Sequence, residues 1–174
     1  MTQLCDRPAW GQTDIAPAAL RQVLGSYATG VAVVSTRAAD GRPVGLTINS
    51  FASLSLAPPL VLWSLVNHSP SLAAFATAPH FAISVLAHDQ QALARRFASA
   101  AVADKFDGVA VHEAPEGVPV IDDALATLVC ARDSCTPAGD HQLFIGQVLR
   151  MQRGEGAPLV FQGGRFVGVG EVVG

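Results

Sequence analysis

Charge is scarce in this 174-residue chain: only 14% of the residues carry one, half are apolar, and the formal net charge is −3. Eleven residues are basic and a single one of them, Lys105, is lysine. Without clustered cations to neutralise phosphates, a nucleic-acid partner is excluded. The apolar stretches are broken by Pro58-Pro59, Ser64, Asn67 and His68, so none reaches membrane-spanning length. Residues 1–16 contain Asp6, Arg7 and Asp14 in place of the apolar run of a secretory signal, and are read as a polar extension to a domain over 17–174. Three cysteines without a CxxC pair leave an odd thiol, which suits a reducing, cytoplasmic setting. His68, His80, His88, His112 and His141 lack zinc-site spacing, so no metal is expected. Neither GxSxG nor GxGxxG is present, which removes the nucleophile elbow and the Rossmann phosphate loop.

What is present is a long uncharged segment. From Pro43 to His88 there is no Asp, Glu, Lys or Arg. Within it, "GLTINSFASLSL" alternates Leu46, Ile48, Leu54 and Leu56 with Thr47, Asn49, Ser53 and Ser55, the period of extended chain with one apolar face. Each hydroxyl alone is accounted for by bonding to nearby backbone. Together they form a neutral polar wall suited to a planar heterocycle edged with carbonyls and ring nitrogens.

The remaining pattern is mainly β with a few short helices. A helix starts near Pro17, with Leu20, Val23, Leu24 and Tyr27 on one stripe and Gly30 as its stop. "GVAVVST" and "RPVGLTIN" form a hairpin on Asp40-Gly41, and "LVLWSLV" follows Pro58-Pro59. Ser69 and Pro70 read as N-cap and first residue of a short helix ending before Pro79. "FAISVL" is a strand and "HDQQALARRFASA" a helix with Leu93 and Phe97 four apart. "LATLVCARDSC" and "HQLFIGQVLRMQR" are strands around a "TPAGD" hairpin, and two short strands flank Gly163-Gly164. Many strands without βα alternation favour a closed antiparallel barrel over a parallel sheet. The lean surface predicts cover by a second subunit.

The blocks "ATGVAVVST", "VGLTINSFASLSLAPPLVLWSL", "SPSLAAF", "FAISVLAHDQQALARRFA", "DKFDGV" and "GDHQLFIGQV" occur in family order. Over residues 18–170 the chain resembles the flavin reductases that serve two-component flavin monooxygenases. The resemblance implies a split β-barrel FMN-binding fold, a homodimer, and hydride transfer from NADH or NADPH to FMN or FAD for release to a separate monooxygenase. By the same resemblance Thr47, Ile48, Asn49 and Ser50 line the flavin ring, with Ser64, Leu65 and Val66 as a second segment against it. Ser69 and Ser71 meet the phosphate end. Arg96, Phe97 and Lys105 lie near the phosphoribityl chain, and His141 of the GDH motif serves the nicotinamide. Ser53 and Ser55 are assigned to structure. Two departures stand out: Pro70 where the family often has a basic residue, and "FQGGRFVG" where a tyrosine-bearing pattern is common. Two rival readings share this architecture. A flavin-storage protein would bind flavin without oxidising NADH, and an oxidase of the pyridoxamine-phosphate type would need a more basic pocket.

Overall fold

A computed structural model describes residues 15–170; the expected polar extension falls almost wholly outside them. Helix α1 (Pro17–Leu24) opens on proline, where the missing N–H has no helical partner to lose. It ends earlier than the sequence suggests, at Gly25, whose N–H donates to the Arg21 carbonyl. Strands β1 (Thr29–Gly30), β2 (Ala32–Arg37) and β3 (Pro43–Ile48) follow, β2 and β3 joined by a hairpin in which Gly41 takes a φ of 83°. Then come β4 (Ala52–Leu56), β5 (Pro59–Val66), helix α2 (Leu72–Thr77), β6 (His80–Val85) and helix α3 (Gln91–Ala98). The small pair β7 (Val111–Glu113) and β8 (Pro119–Ile121) precedes the long strands β9 (Ala126–Ala138) and β10 (His141–Arg153). The described chain ends with β11 (Val160–Gln162), which pairs with β1, and β12 (Arg165–Val167), which pairs with β11.

Seven strands form the main sheet in the order β3-β2-β6-β9-β10-β5-β4, every neighbouring pair antiparallel. The expected closed barrel is not formed, because the edge strands β3 and β4 do not pair with one another. They are nevertheless consecutive in the chain, joined by residues 49–51. Such a link spans at most about 14 Å, so the sheet must bend until its edges stand close.

Two cores fix this curvature. On one face of the sheet Trp63 stacks flat on Phe144, ring centroids 4.4 Å apart, with Phe75 and Phe81 edge-on to it. On the other, α3 presses Phe97 and Ala94 among Val31, Val33, Leu86, Ile121 and Leu159. Phe97 sits where a Cβ on Gly45 would come within 2.7 Å of its ring, so β3 needs glycine there for the helix to dock.

Four local readings need correction. Ser71, not Ser69, is the N-cap of α2. Ser69 instead closes a turn, its carbonyl accepting from Leu72 N–H and its Oγ from Ser71 N–H, because the chain leaving β5 must reverse before a helix can start. The β9–β10 hairpin is shorter than "TPAGD": Thr136, Pro137 and Ala138 stay in the ladder, leaving Gly139-Asp140 as the tip. Leu54 and Leu56 are 47% and 93% exposed, since β4 is an edge strand carrying a bulge and no element among the described residues covers it. The apolar stripe of α1 also points to solvent, and the helix buries no residue.

Candidate functional site

Strand β5 alternates strictly. Val61, Trp63 and Leu65 enter the aromatic core, while Leu62, Ser64 and Val66 stay half-buried on the opposite face. Its partner β10 sets Leu143 beside Ser64 and His141 beside Val66. Directly paired residues project to the same side of an antiparallel sheet, so His141 joins Ser64 and Val66 on that half-covered face.

The His141 turn is held onto the end of β5 by a set of amide contacts. Asn67 N–H donates to the Asp140 carbonyl at 2.9 Å, and its side-chain amide donates to the Gly139 carbonyl at 3.3 Å. Gln142 Nε2 in turn donates to Asn67 Oδ1 at 2.9 Å. Gly139 adopts a φ of 62°, left-handed backbone that glycine takes at low cost. His141 Nδ1 lies 2.6 Å from Asp140 Oδ1. The hydrogen bond from His141 holds the Asp140 carboxyl below the usual carboxylate range, so it is anionic at neutral pH. An ionised carboxylate only accepts, so Nδ1 carries the proton of this bond and Nε2 points away from Asp140. Among the described residues Nε2 has no partner.

The segment 47–50 divides its labour. Thr47 Oγ1 donates to the Ala94 carbonyl at 2.7 Å and ties β3 to α3. Ile48 is core. Ser50 Oγ accepts from Ser64 N–H and donates to the Ser64 carbonyl, both at 3.1 Å, and so sews the β3–β4 link to β5. Only Asn49 keeps an exposed amide with no hydrogen bond among the described residues. Asn49 and Ser50, Ser64 and Val66, and His141 are thereby brought to one end of the sheet, with Leu65 behind them in the core.

A groove of about 920 Å³ runs along the open side of β3. Its walls are the β2–β3 hairpin, helix α2 with Pro70 and Ser71, and the loop 100–106 with Lys105. The groove and the Asn49–His141 end are linked twice, through β3 and through residues 66–71 that lead from β5 into α2. Lys105 Nζ donates to the Phe97 carbonyl at 2.7 Å, and partial burial pushes its ammonium pKa down. Arg96 is committed elsewhere: its guanidinium donates to the carbonyls of Asp104, Lys105 and Asp107. Phe97 is fully buried, edge-on to Phe106. Of the three residues expected at a phosphoribityl chain, Lys105 lines the groove and the other two hold its loop in place. Of the serines expected at the phosphate, Ser71 lines it and Ser69 is spent in the turn.

Sequence reasoning did not single out Asp140, Asn67 or Gln142, which orient His141, nor Asp40 and Arg42 at the groove mouth. Adjacency in "GDHQ" offered a signal for Asp140 and Gln142. Nothing local announced the others.

The set of groups suits a planar heterocycle with an anionic tail: a neutral wall bearing a free amide, an oriented imidazole, and a groove with a cation. An all-antiparallel sheet presenting that arrangement defines a binder of a cofactor of this shape. The sequence model described as flavin reductase like domain matches residues 24–170. The FMN reductase (NADH) SmoA of Agrobacterium fabrum is 47% identical over 146 residues, covering 84% of this chain and 82% of that protein. HsaB of Rhodococcus jostii, the reductase subunit of a flavin-dependent monooxygenase, is 40% identical over 156 residues, 89% of this chain and 79% of its own. Among solved structures, the NADH:FAD oxidoreductase SgcE6 of Streptomyces globisporus superposes with a TM-score of 0.85 at 36% identity, covering 94% of this chain and all of that one. The chain belongs to the flavin reductase–like family.

Proposed function

We propose that this chain is an NAD(P)H-dependent flavin reductase that reduces FMN or FAD and supplies it to a separate flavin-dependent monooxygenase. The observation that carries the reading is the Asp140-oriented His141 beside a neutral wall that contains no competing acid or base. When bound, the nicotinamide and the flavin would supply the chemistry, a hydride transfer from the first to the second. The protein has only to bind and orient them. Thr47, Ile48, Asn49 and Ser50 line one edge of the ring through backbone and the Asn49 amide, and Ser64, Leu65 and Val66 support its face. Neutral donors here stabilise charge that develops on the reduced ring without repelling it before reaction. Ser71 and Lys105 take the anionic tail, with Ser69 forming the turn that presents Ser71 and with Arg96 and Phe97 fixing the Lys105 loop. His141 presents Nε2 to the nicotinamide side.

The domain spans 17–174 and acts in the cytoplasm as a homodimer, its sheet a split barrel opened between β3 and β4. The exposed stripe of α1 supports the dimer, because contiguous apolar surface of this kind marks an association site. The first test is NADH and NADPH oxidation by the purified protein, with and without added FMN or FAD. Turnover that depends on added flavin is expected. His141→Ala should lower kcat/KM for the nicotinamide by about tenfold, the size of one lost hydrogen bond, and leave the flavin Kd in place. Tight flavin binding without nicotinamide oxidation would point instead to a flavin carrier.

A further inference from the structure

We propose that Asn67 is a positioning residue that couples the two binding events of this protein, so that flavin and nicotinamide each tighten the other; the proposal rests on the flavin reductase reading above. Asn67 stands between the residues assigned to the two ends of the flavin. Ser64 and Val66 before it are on the ring side, and Ser71 after it lines the groove. With flavin bound, the short chain between them is held at both ends. That chain is otherwise closed only on itself: Ser69 N–H donates to the Val66 carbonyl and Leu72 N–H to the Ser69 carbonyl, both at 3.1 Å.

The polar groups of Asn67 reach the other way, into the turn that carries His141. Its backbone N–H and its Nδ2 donate to the consecutive carbonyls of Asp140 and Gly139, and its Oδ1 accepts from Gln142 Nε2. Gln142 is braced in turn from β9, its Oε1 accepting from Cys135 Sγ at 3.8 Å. The β5–β10 ladder stops at the pair Val66–His141. Past that pair, among the described residues, Asn67 makes the hydrogen bonds that reach the tip from β5. Packing does not hold the tip: a Cβ on Gly139 would meet nothing within 4 Å, and the Asp140 side chain is 93% exposed. The position of His141 in the nicotinamide site therefore follows the position of Asn67, which the flavin side fixes.

Ordering each segment costs conformational entropy. The ligand that binds first orders both segments through Asn67, and the second finds its own already held. Linkage makes the effect the same in either order. Couplings between sites are commonly about 5- to 150-fold, and hydrogen bonds as exposed as these place this one near the lower end.

Fluorescence quenching of FMN or FAD, whichever supports turnover, gives the flavin Kd with and without the oxidised nicotinamide. In the wild type the nicotinamide should lower that Kd about fivefold. Asn67→Ala should bring the factor to about one and leave the Kd of flavin alone within about twofold. Gln142→Met removes the strut without touching the turn, and should lower the factor with the fold kept. Flavin alone should slow amide hydrogen exchange over 139–142 in the wild type but not in Asn67→Ala. A wild-type factor near one overturns the coupling, as does a factor that survives both substitutions. So does an Asn67→Ala protein that binds flavin alone more weakly and keeps the factor, the mark of a merely structural residue. Those outcomes with normal flavin-dependent NAD(P)H oxidation leave the reductase reading intact. Failure of both flavins to support that oxidation overturns the reductase reading, and the coupling with it.

Discussion

Helices α1 and α3 have the same length and the same kind of pattern, yet they end in opposite environments. Each spans eight residues and carries its apolar side chains at helical spacing. Helix α3 buries Ala94 and Phe97 completely, whereas along α1 and just beyond it Leu20, Val23, Leu24 and Tyr27 are 43%, 71%, 62% and 78% exposed. The difference lies in the surfaces offered to them. Strand β3 makes room for α3 through Gly45, and Thr47 grips the helix backbone at Ala94. Among the described residues, Gly25 and Ser26 just after α1 are held to the rest of the chain by two polar tethers, Gly163 N–H to the Gly25 carbonyl and the Gln162 amide to the Ser26 carbonyl. An amphipathic stripe therefore states that a face is to be covered, and leaves open whether the cover comes from this chain.

Substitutions can turn that contrast into numbers. Phe97→Ala should cost about 3–5 kcal/mol, the range for deleting a buried ring whose site cannot collapse, read from urea denaturation. Leu24→Ala on α1 should leave the stability of an isolated chain within about 0.5 kcal/mol, because the side chain already faces water. The polar side of α3 should give an intermediate effect. Arg96→Ala removes the donors that hold the carbonyls of Asp104, Lys105 and Asp107, at a cost of about 1–3 kcal/mol. It should also weaken flavin binding by releasing the Lys105 loop. A loss of stability with unchanged flavin affinity would detach that loop from the site.

The same contrast shows what the sequence could reveal. Strands β2, β3, β5, β6 and β10 were legible because period, β-branched content and turn residues are local signals. So was the grouping of segments 47–50, 64–66 and 139–141, though only through the order of motifs shared with a family. Burial of Phe97 was not legible, since it depends on a glycine in β3 far along the chain. Nor was the clamp on His141, in which Asn67 and Gln142 meet across 75 positions. The groove was hidden for the same reason: its three walls come from separate stretches whose alanines look unremarkable one at a time. Local chemistry sets the elements; long-range register decides which face of each becomes a site.

The smallest effect on the isolated fold should come with the largest effect on assembly. Val23→Glu combined with Tyr27→Glu puts two carboxylates on the exposed face of α1, where water solvates them and folding is nearly indifferent. Against a second copy of the chain the same carboxylates would have to be desolvated in an apolar contact, which is strongly unfavourable without a partner charge. The wild-type protein should therefore sediment as a dimer with a Tm that rises with concentration, and the double variant as a monomer whose Tm does not. The tryptophan signal in the near-ultraviolet circular dichroism should be unchanged, because the Trp63–Phe144 core lies on other elements, although the contribution of Tyr27 is lost. A variant that remained dimeric would move the interface away from α1, most directly to the uncovered edge strand β4, where Leu54 and Leu56 make the next exposed apolar surface.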